Sequence, residues 1–445
     1  MVLKFGTSGI RGIINETLFF EDIVKLSFAC KKVVKGPYCI GRDGRKNSRL
    51  VSDIIMATLN LYGEDVLDFG MIPTPVLAFG TKKFKRNLGF QVTASHNPPP
   101  YIGIKIFNKK GMQLSRDLEA KIEKNFKDNL KNLRRERGNI TEYNGLIYDY
   151  IDKILEFLPK TRKKFRILVD SGNGMASLVV PEVLKNLGHK VISINDIIDW
   201  RFSARPSEPT KENLDGTSKM VKDLNVDFAF AYDGDADRAV IINRKGEVLP
   251  DHIFTSLVLK ILLKDRRGNI ILSVNTSNSV EEIARNAGCK VIRAKLGKTY
   301  EKLIEYKGIF ASEPSKIIDP KWGFWEDGMY GSLLLTQSLS FDELSLEEAM
   351  KDIPVYYYKQ VNLPITKNLL IKDLEKFKRK ILEEDFGKEI LEINELDGIK
   401  LIFKDSWILF RLSGTEPKVR IYAESKNYEE LNYLIRKGES LISSE

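Results

Sequence analysis

Ile167-Leu168-Val169-Asp170-Ser171-Gly172-Asn173, followed after a helical stretch by Gly188-His189-Lys190-Val191, sets out an apolar strand, a polar loop, a helix closed by glycine and the opening of a second strand. Such a segment reads as a βαβ unit. The pattern occurs twice more. Tyr38-Cys39-Ile40 passes through Gly41-Arg42-Asp43 and a helix over 50–62 to Gly63-Glu64-Asp65-Val66, and Ile270-Ile271-Leu272 passes through Asn275-Thr276-Ser277-Asn278 to Gly288-Cys289-Lys290-Val291. The closing glycines recur roughly 100 residues or more apart, too far for a solenoid and suited to duplicated domains. Parallel strands joined by crossovers build sheets covered on both faces, with ligands received where loops leave the strand ends. The reading is α/β: three related domains with mixed or parallel sheets over 1–140, 141–250 and 251–357, the charged stretch Lys121 to Arg137 marking the exit from the first. A smaller α+β domain is expected over 358–445. There Ile399 to Phe403, Trp407 to Leu412 and Val419 to Ala423 read as short strands, flanked by helices over 369–384 and 428–443.

Composition agrees with a multidomain globular protein. The 445 residues are about three domains' worth, 42% hydrophobic and 30% charged, which excludes disorder, collagen and coiled coil. The net charge of +10 favours acidic ligands without naming one. Three widely spaced cysteines, Cys30, Cys39 and Cys289, make neither a disulfide framework nor a metal site, so a reducing cytoplasm is expected. The N-terminus lacks an export signal pattern, and the most apolar helical stretch, around Ile253 to Leu263, is far short of the roughly 20 residues that cross a bilayer.

Four motifs carry chemistry. In Asp233-Gly234-Asp235-Ala236-Asp237-Arg238, three carboxylates follow the apolar strand Phe228 to Ala231 in a tight loop, an oxygen-rich site suited to Mg²⁺. An EF-hand would need glycine and glutamate where Arg238 and Arg244 stand. Thr93-Ala94-Ser95-His96-Asn97-Pro98 follows a strand over 89–92 and displays a serine on a loop, where a base such as His96 or a metal could activate it. No Gly-x-Ser-x-Gly elbow accompanies it, which disfavours hydrolase chemistry. Phe5-Gly6-Thr7-Ser8-Gly9-Ile10-Arg11-Gly12 and Arg411-Leu412-Ser413-Gly414-Thr415-Glu416-Pro417 combine turn amides, hydroxyls and a guanidinium, with Arg420 close behind the second; such loops hold phosphate. Lys105 alternates with isoleucines, so its ammonium faces away from them, toward a phosphate or water. His189 and His252 carry no partner pattern and are assigned no role.

Together with Gly41-Arg42-Asp43-Gly44-Arg45, Pro73-Thr74-Pro75 and Asp327-Gly328, these motifs resemble, in order and along the whole chain, the signatures of the α-D-phosphohexomutases, the phosphoglucomutase/phosphomannomutase superfamily. The resemblance implies three α/β domains and a smaller fourth around a central cleft. It implies that Ser95 is a phosphoserine whose phosphate, with Asp233, Asp235 and Asp237, holds one Mg²⁺ per chain. Arg11, His96, Lys105 and Arg238 would surround the phosphoryl group, and Arg411, Ser413, Gly414, Thr415 and Arg420 would hold the idle phosphate. Transfer to a sugar hydroxyl would give a bisphosphate that turns over in the cleft, with hexose 1,6-bisphosphate as activator. Glu313 and Ser315 match sugar contacts, but bacterial relatives read Gly-Glu-x-Ser-Gly-His where this chain has Lys316 and Ile317, and Lys298 replaces a histidine or aspartate.

The resulting expectation is a hexose 1-/6-phosphate mutase acting on glucose and mannose within about tenfold of one another. Glucosamine is expected to be slower, because Lys316 or Lys298 would repel its ammonium. Phosphoglucosamine mutase is the alternative enzyme, and a catalytically weakened sugar-phosphate-binding paralogue is the reading from another class. The expected partners are small sugar phosphates, not nucleic acid or membrane, with monomer and homo-oligomer both open.

Overall fold

A computed structural model of the chain describes residues 4–6, 8–126, 137–364, 374–412 and 418–443. Its four sheets follow one another along the sequence. The first orders its strands Ile10–Ile13, Tyr101–Asn108, Leu88–Val92, Tyr38–Arg42, Val66–Met71 and Ile140–Glu142. The second runs Ala239–Asn243, Phe228–Tyr232, Arg166–Asp170, Lys190–Ile194, and the third Lys290–Ala294, Asn269–Ser273, Phe310–Glu313, Lys316–Ile318. The fourth, antiparallel throughout, runs Tyr357–Pro364, Lys418–Ser425, Ser406–Leu412, Ile399–Ile402, Glu392–Asn394.

All three expected crossovers form: Tyr38–Arg42 pairs in parallel with Val66–Met71, Arg166–Asp170 with Lys190–Ile194, and Asn269–Ser273 with Lys290–Ala294. The inner strands are buried on both faces, which is why they read as continuous apolar runs. Each of the first three sheets then repeats a further step. A central strand pairs in parallel with a third, which turns back antiparallel: Leu88–Val92 into Tyr101–Asn108, Phe228–Tyr232 into Ala239–Asn243, Phe310–Glu313 into Lys316–Ile318. The connecting loops, 93–100, 233–238 and 314–315, are therefore equivalent positions in three related domains, and they carry Ser95, the three aspartates and Ser315.

One apolar core joins the three sheets. Phe69 and Val76, Phe230 and Tyr232, Phe310, Trp322 and Leu333 belong to a single buried cluster. Helix Gly328–Phe341 crosses it, with every residue buried except Phe341; its polar side chains are buried with partners, Ser332 and Thr336 donating to carbonyls of the helix itself and Ser340 to Lys163 O. At its start, Asp327 accepts hydrogen bonds from Tyr330 N, Tyr150 Oη, Trp322 Nε1 and Trp325 Nε1. The fourth sheet has a core of its own under helix Tyr428–Ser443. Among the described residues no helix is long and apolar enough to cross a membrane. The stretches 127–136 and 369–373, assigned from the sequence to the domain exit and to a helix start, lie outside the described residues.

Candidate active site

Ser95 has a left-handed backbone, φ 52°, unusual for a residue with a side chain and costing on the order of 1–3 kcal/mol. The loop around it is held from below by Arg45, whose guanidinium donates to the carbonyls of Ser95 (2.8 Å), Asn97 (2.6 Å), Pro98 (2.8 Å) and Tyr101 (3.2 Å). Asp43 pairs with Arg45 at 3.2 Å, and Phe202 lies under the guanidinium. The Gly41-to-Arg45 motif is thus the scaffold of the serine loop, a role the sequence did not disclose. Ser95 Oγ donates to Asp233 Oδ2 at 2.8 Å, with His96 Nδ1 3.4 Å away. Burial, then the charges of Arg238, Arg11 and Lys316, hold the His96 imidazole well below its ordinary pKa and therefore neutral. Arg11 donates to Asn97 Oδ1 at 2.7 Å, joining the N-terminal loop to the serine loop.

Asp233, Asp235 and Asp237 are buried, and one oxygen from each lies within 4.8 Å of the others. Lys105 is buried as well. Its ammonium does not face water but sits 2.6 Å from both Asp235 Oδ2 and Asp237 Oδ2. Thr74, from Pro73-Thr74-Pro75, donates through Oγ1 to Asp235 Oδ2 at 2.5 Å and through its amide to the Asp235 carbonyl at 3.1 Å, tying the first domain to the loop of the second. Arg238 N donates to Asp233 Oδ1 at 3.2 Å, and its guanidinium reaches Glu208 at 3.5 Å. Burial and the charges of Asp237 and Asp235 push Asp233 far above the usual carboxylate range. Asp237 is held well below that range despite burial by Lys105, Lys316 and Arg238. Asp235 Oδ1 and Asp237 Oδ1 are buried without any hydrogen-bond partner. Three convergent aspartates, two of them with an orphaned oxygen, fit a hard divalent cation such as Mg²⁺, and Asp233, Asp235 and Asp237 are the residues that would hold it.

In the third domain, Glu313 accepts from Gly297 N (2.6 Å) and Thr299 Oγ1 (3.2 Å). Burial, then the charge of Glu326, pushes its carboxyl upward. Ser315 also has a left-handed backbone, φ 60°. Lys316 is not a charge open to the sugar, as the expected repulsion of glucosamine required, but is buried and bonded to Asp237 Oδ2 at 3.0 Å and to Glu326. Lys298 turns away from the sugar loop: its ammonium pairs with Glu119 at 3.2 Å and donates to Tyr300 Oη at 2.8 Å, strapping the third domain to the first. Glu326, unforeseen from the sequence, enters the site by accepting from Lys316 and, at 3.3 Å, from Gln113 Nε2.

At the fourth domain, Arg411 Nε donates to Asp397 Oδ2 at 2.8 Å, and the same oxygen accepts from Leu296 N of the third domain at 3.1 Å. Arg420 stands directly across the ladder from Arg411. Ser413, Gly414 and Thr415 lie outside the described residues. His189 is a packing residue, accepting from Phe165 N at Nδ1 and meeting Gln337 Oε1 at 2.7 Å. His252 is buried, which lowers its pKa to about 4.

Models of the phosphoglucomutase/phosphomannomutase family match in four consecutive pieces: alpha/beta/alpha domain I at residues 2–133, domain II at 148–246, domain III at 250–357 and the C-terminal domain at 361–437. A protein of Thermococcus kodakarensis named "Phosphopentomutase" is 34% identical over 99% of this chain and 97% of its own length. A "Probable phosphoglucosamine mutase" of Pyrococcus horikoshii is 34% identical over 99% and 98%. The crystal structure of a phosphoglucomutase/phosphomannomutase family protein from Burkholderia thailandensis superposes with a TM-score of 0.84 at 22% identity, covering 100% of this chain and 98% of that one. With four domains in family order and relatives matched end to end, the chain belongs to the phosphoglucomutase/phosphomannomutase family of phosphosugar mutases, magnesium-dependent isomerases.

Proposed function

We propose that this mutase interconverts the 1- and 6-phosphates of hexoses, glucose and mannose foremost, through phosphorylated Ser95 and a bisphosphorylated sugar. The observation that carries the reading is the 2.8 Å contact of Ser95 Oγ with Asp233, inside a buried ring of carboxylates and cations. A phosphoryl group on that oxygen would lie among Arg11, Lys105 and Arg238, whose positive charges offset the charge spread over its oxygens during transfer. When bound at Asp233, Asp235 and Asp237, Mg²⁺ supplies further neutralisation of the same charge. The sugar hydroxyl forms the new P–O bond as the bond to Ser95 Oγ breaks. Its proton leaves as Oγ regains one, and neutral His96, 3.4 Å from Oγ, is placed to relay it. Return of the sugar's other phosphoryl group to Ser95 completes the isomerisation, and a hexose 1,6-bisphosphate rephosphorylates enzyme that has lost its phosphate. Arg411 and Arg420, with the loop between them, are proposed to hold the idle phosphate; Glu313 and Ser315, the sugar hydroxyls. A reducing cytoplasm is the proposed setting, the three cysteines being buried and free.

Because Lys316 and Lys298 are both paired with carboxylates, the expected repulsion of an amino sugar loses its physical basis. The relative named phosphopentomutase favours a second reading, a pentose 1-/5-phosphate substrate. Coupled turnover assays with glucose, mannose, ribose and glucosamine 1-phosphates, bisphosphate present, decide between them. Glucose and mannose should lie within about tenfold of each other in efficiency, under about 1.4 kcal/mol, and above ribose. A dominant ribose rate would establish the second reading, a dominant glucosamine rate would make the chain a phosphoglucosamine mutase, and no turnover of any sugar would overturn the mutase assignment.

A further inference from the structure

Lys316 meets the aspartate loop from the third domain. It begins the short strand Lys316–Ile318, its backbone registers against Glu313, and its carbonyl accepts from Ser312 Oγ at 2.9 Å, so the stem starts from a fixed point. The ammonium spans Asp237 of the second domain and Glu326 of the third, while Glu326 also takes Gln113 of the first. Three domains therefore meet at one buried cation, only 7% exposed. On its other side, Asp237 Oδ2 already receives Lys105. Two ammonium groups thus bear on a carboxylate whose second oxygen, Oδ1, has no hydrogen-bond partner and only the Arg238 guanidinium, at 4.0 Å, near it.

A fixed positive charge 3.0 Å from one oxygen of a ligand carboxylate repels any cation bound at the other oxygen, and burial leaves the repulsion poorly screened. We propose that Lys316 is a resident competitor of the divalent cation: it lowers the affinity of the Asp233/Asp235/Asp237 site for metal and links that site to the sugar loop through Asp237. The proposal rests on the divalent-ion site assigned above. Lys316 is a positioning residue, acting through Asp237, and it makes metal binding sensitive to where the sugar loop stands.

Titration of the full-length protein with Mn²⁺ alone, without sugar phosphate, tests this, free Mn²⁺ being read by its paramagnetic resonance. Lys316→Met should bind Mn²⁺ at least about tenfold more tightly than wild type, whereas Lys316→Arg, which keeps the charge, should stay within about threefold. Removing Lys316 leaves Glu326 buried without its cation, so Lys316→Met combined with Glu326→Gln provides a variant of unchanged net charge that avoids that cost; it too should bind more tightly. Unchanged or weaker binding by the folded variants overturns the competitor role while leaving the metal site intact. Wild type that binds no Mn²⁺, or an Asp235→Asn variant that binds it equally well, overturns the metal site and the competitor role with it.

Discussion

Thr74 shows how much of the site's chemistry rests on a single hydroxyl. Its Oγ1 fixes Asp235 Oδ2, leaving Oδ1 free of protein partners and available to a cation. Groups that orient a metal's ligands typically account for about 10–100-fold in affinity. Thr74→Val keeps the side chain's shape and removes the donor, so Mg²⁺ affinity measured by calorimetry should fall by about that factor, with a stability loss of about 1–3 kcal/mol. Unaltered affinity would mean that the loop fixes Asp235 without help from the first domain. At this scale Ser95 and the three aspartates were legible because each motif is local. Lys105 was legible only as a strand residue facing away from its apolar neighbours, since its partners lie 130 and 132 positions along the chain. Lys298 and Lys316 were misjudged for the same reason: sequence shows a charge, while its partner is set by packing across domains.

Among the elements, helix Gly328–Phe341 and the aspartate loop touch with no side chain between them. A Cβ on Gly328 would lie 2.5 Å from the carbonyl carbon of Arg238 and 2.8 Å from Ala239 N, both backbone atoms that cannot swing aside. Gly328→Ala should therefore push the loop from the helix, costing about 1–3 kcal/mol of stability and raising the Mg²⁺ concentration needed for half-maximal turnover. Urea unfolding and a Mg²⁺ titration of turnover check the two effects, and a variant normal in both would show that helix and loop separate freely. The three crossovers could be read from sequence because doubly buried parallel strands are unbroken apolar runs. Two other classes of strand could not. Lys316–Ile318 has only three residues, too few for a period, and in the edge strand Tyr357–Pro364 no residue is fully buried, the alternating pair Val361 and Leu363 leaning on the core being too short a signal to mark it. The equivalence of the three site loops was hidden with them, because it depends on the antiparallel return that follows each repeat.

For the whole molecule, the shared core makes stability depend on buried ionisable groups, and these pull in opposite directions with pH. His252, held neutral with a pKa of about 4 against an ordinary 6.5, contributes stability that is complete above pH 6.5 and is lost as pH falls toward 4. The loss is on the order of 3 kcal/mol. Asp327 is raised to about 6 by burial despite its four hydrogen bonds, so its contribution is present at low pH and declines as pH rises from about 4 through 6. Comparison with His252→Gln isolates the histidine. Acidification from pH 7.5 to 4.5 should lower the melting temperature of the wild type more than that of the variant, and parallel curves would show that His252 is solvated. With three domains joined by one core and a fourth carrying its own, the central claim comes down to a single atom, Ser95 Oγ. The most direct test is the intact mass of the protein after incubation with glucose 1,6-bisphosphate and Mg²⁺, with fragment mapping, for wild type and Ser95→Ala. The account predicts one added phosphoryl group, on Ser95, in the wild type and none in the variant, whose turnover falls by roughly a thousandfold or more. A wild type that turns over sugar phosphate without ever carrying phosphate on Ser95, or a Ser95→Ala protein of undiminished activity, would contradict it.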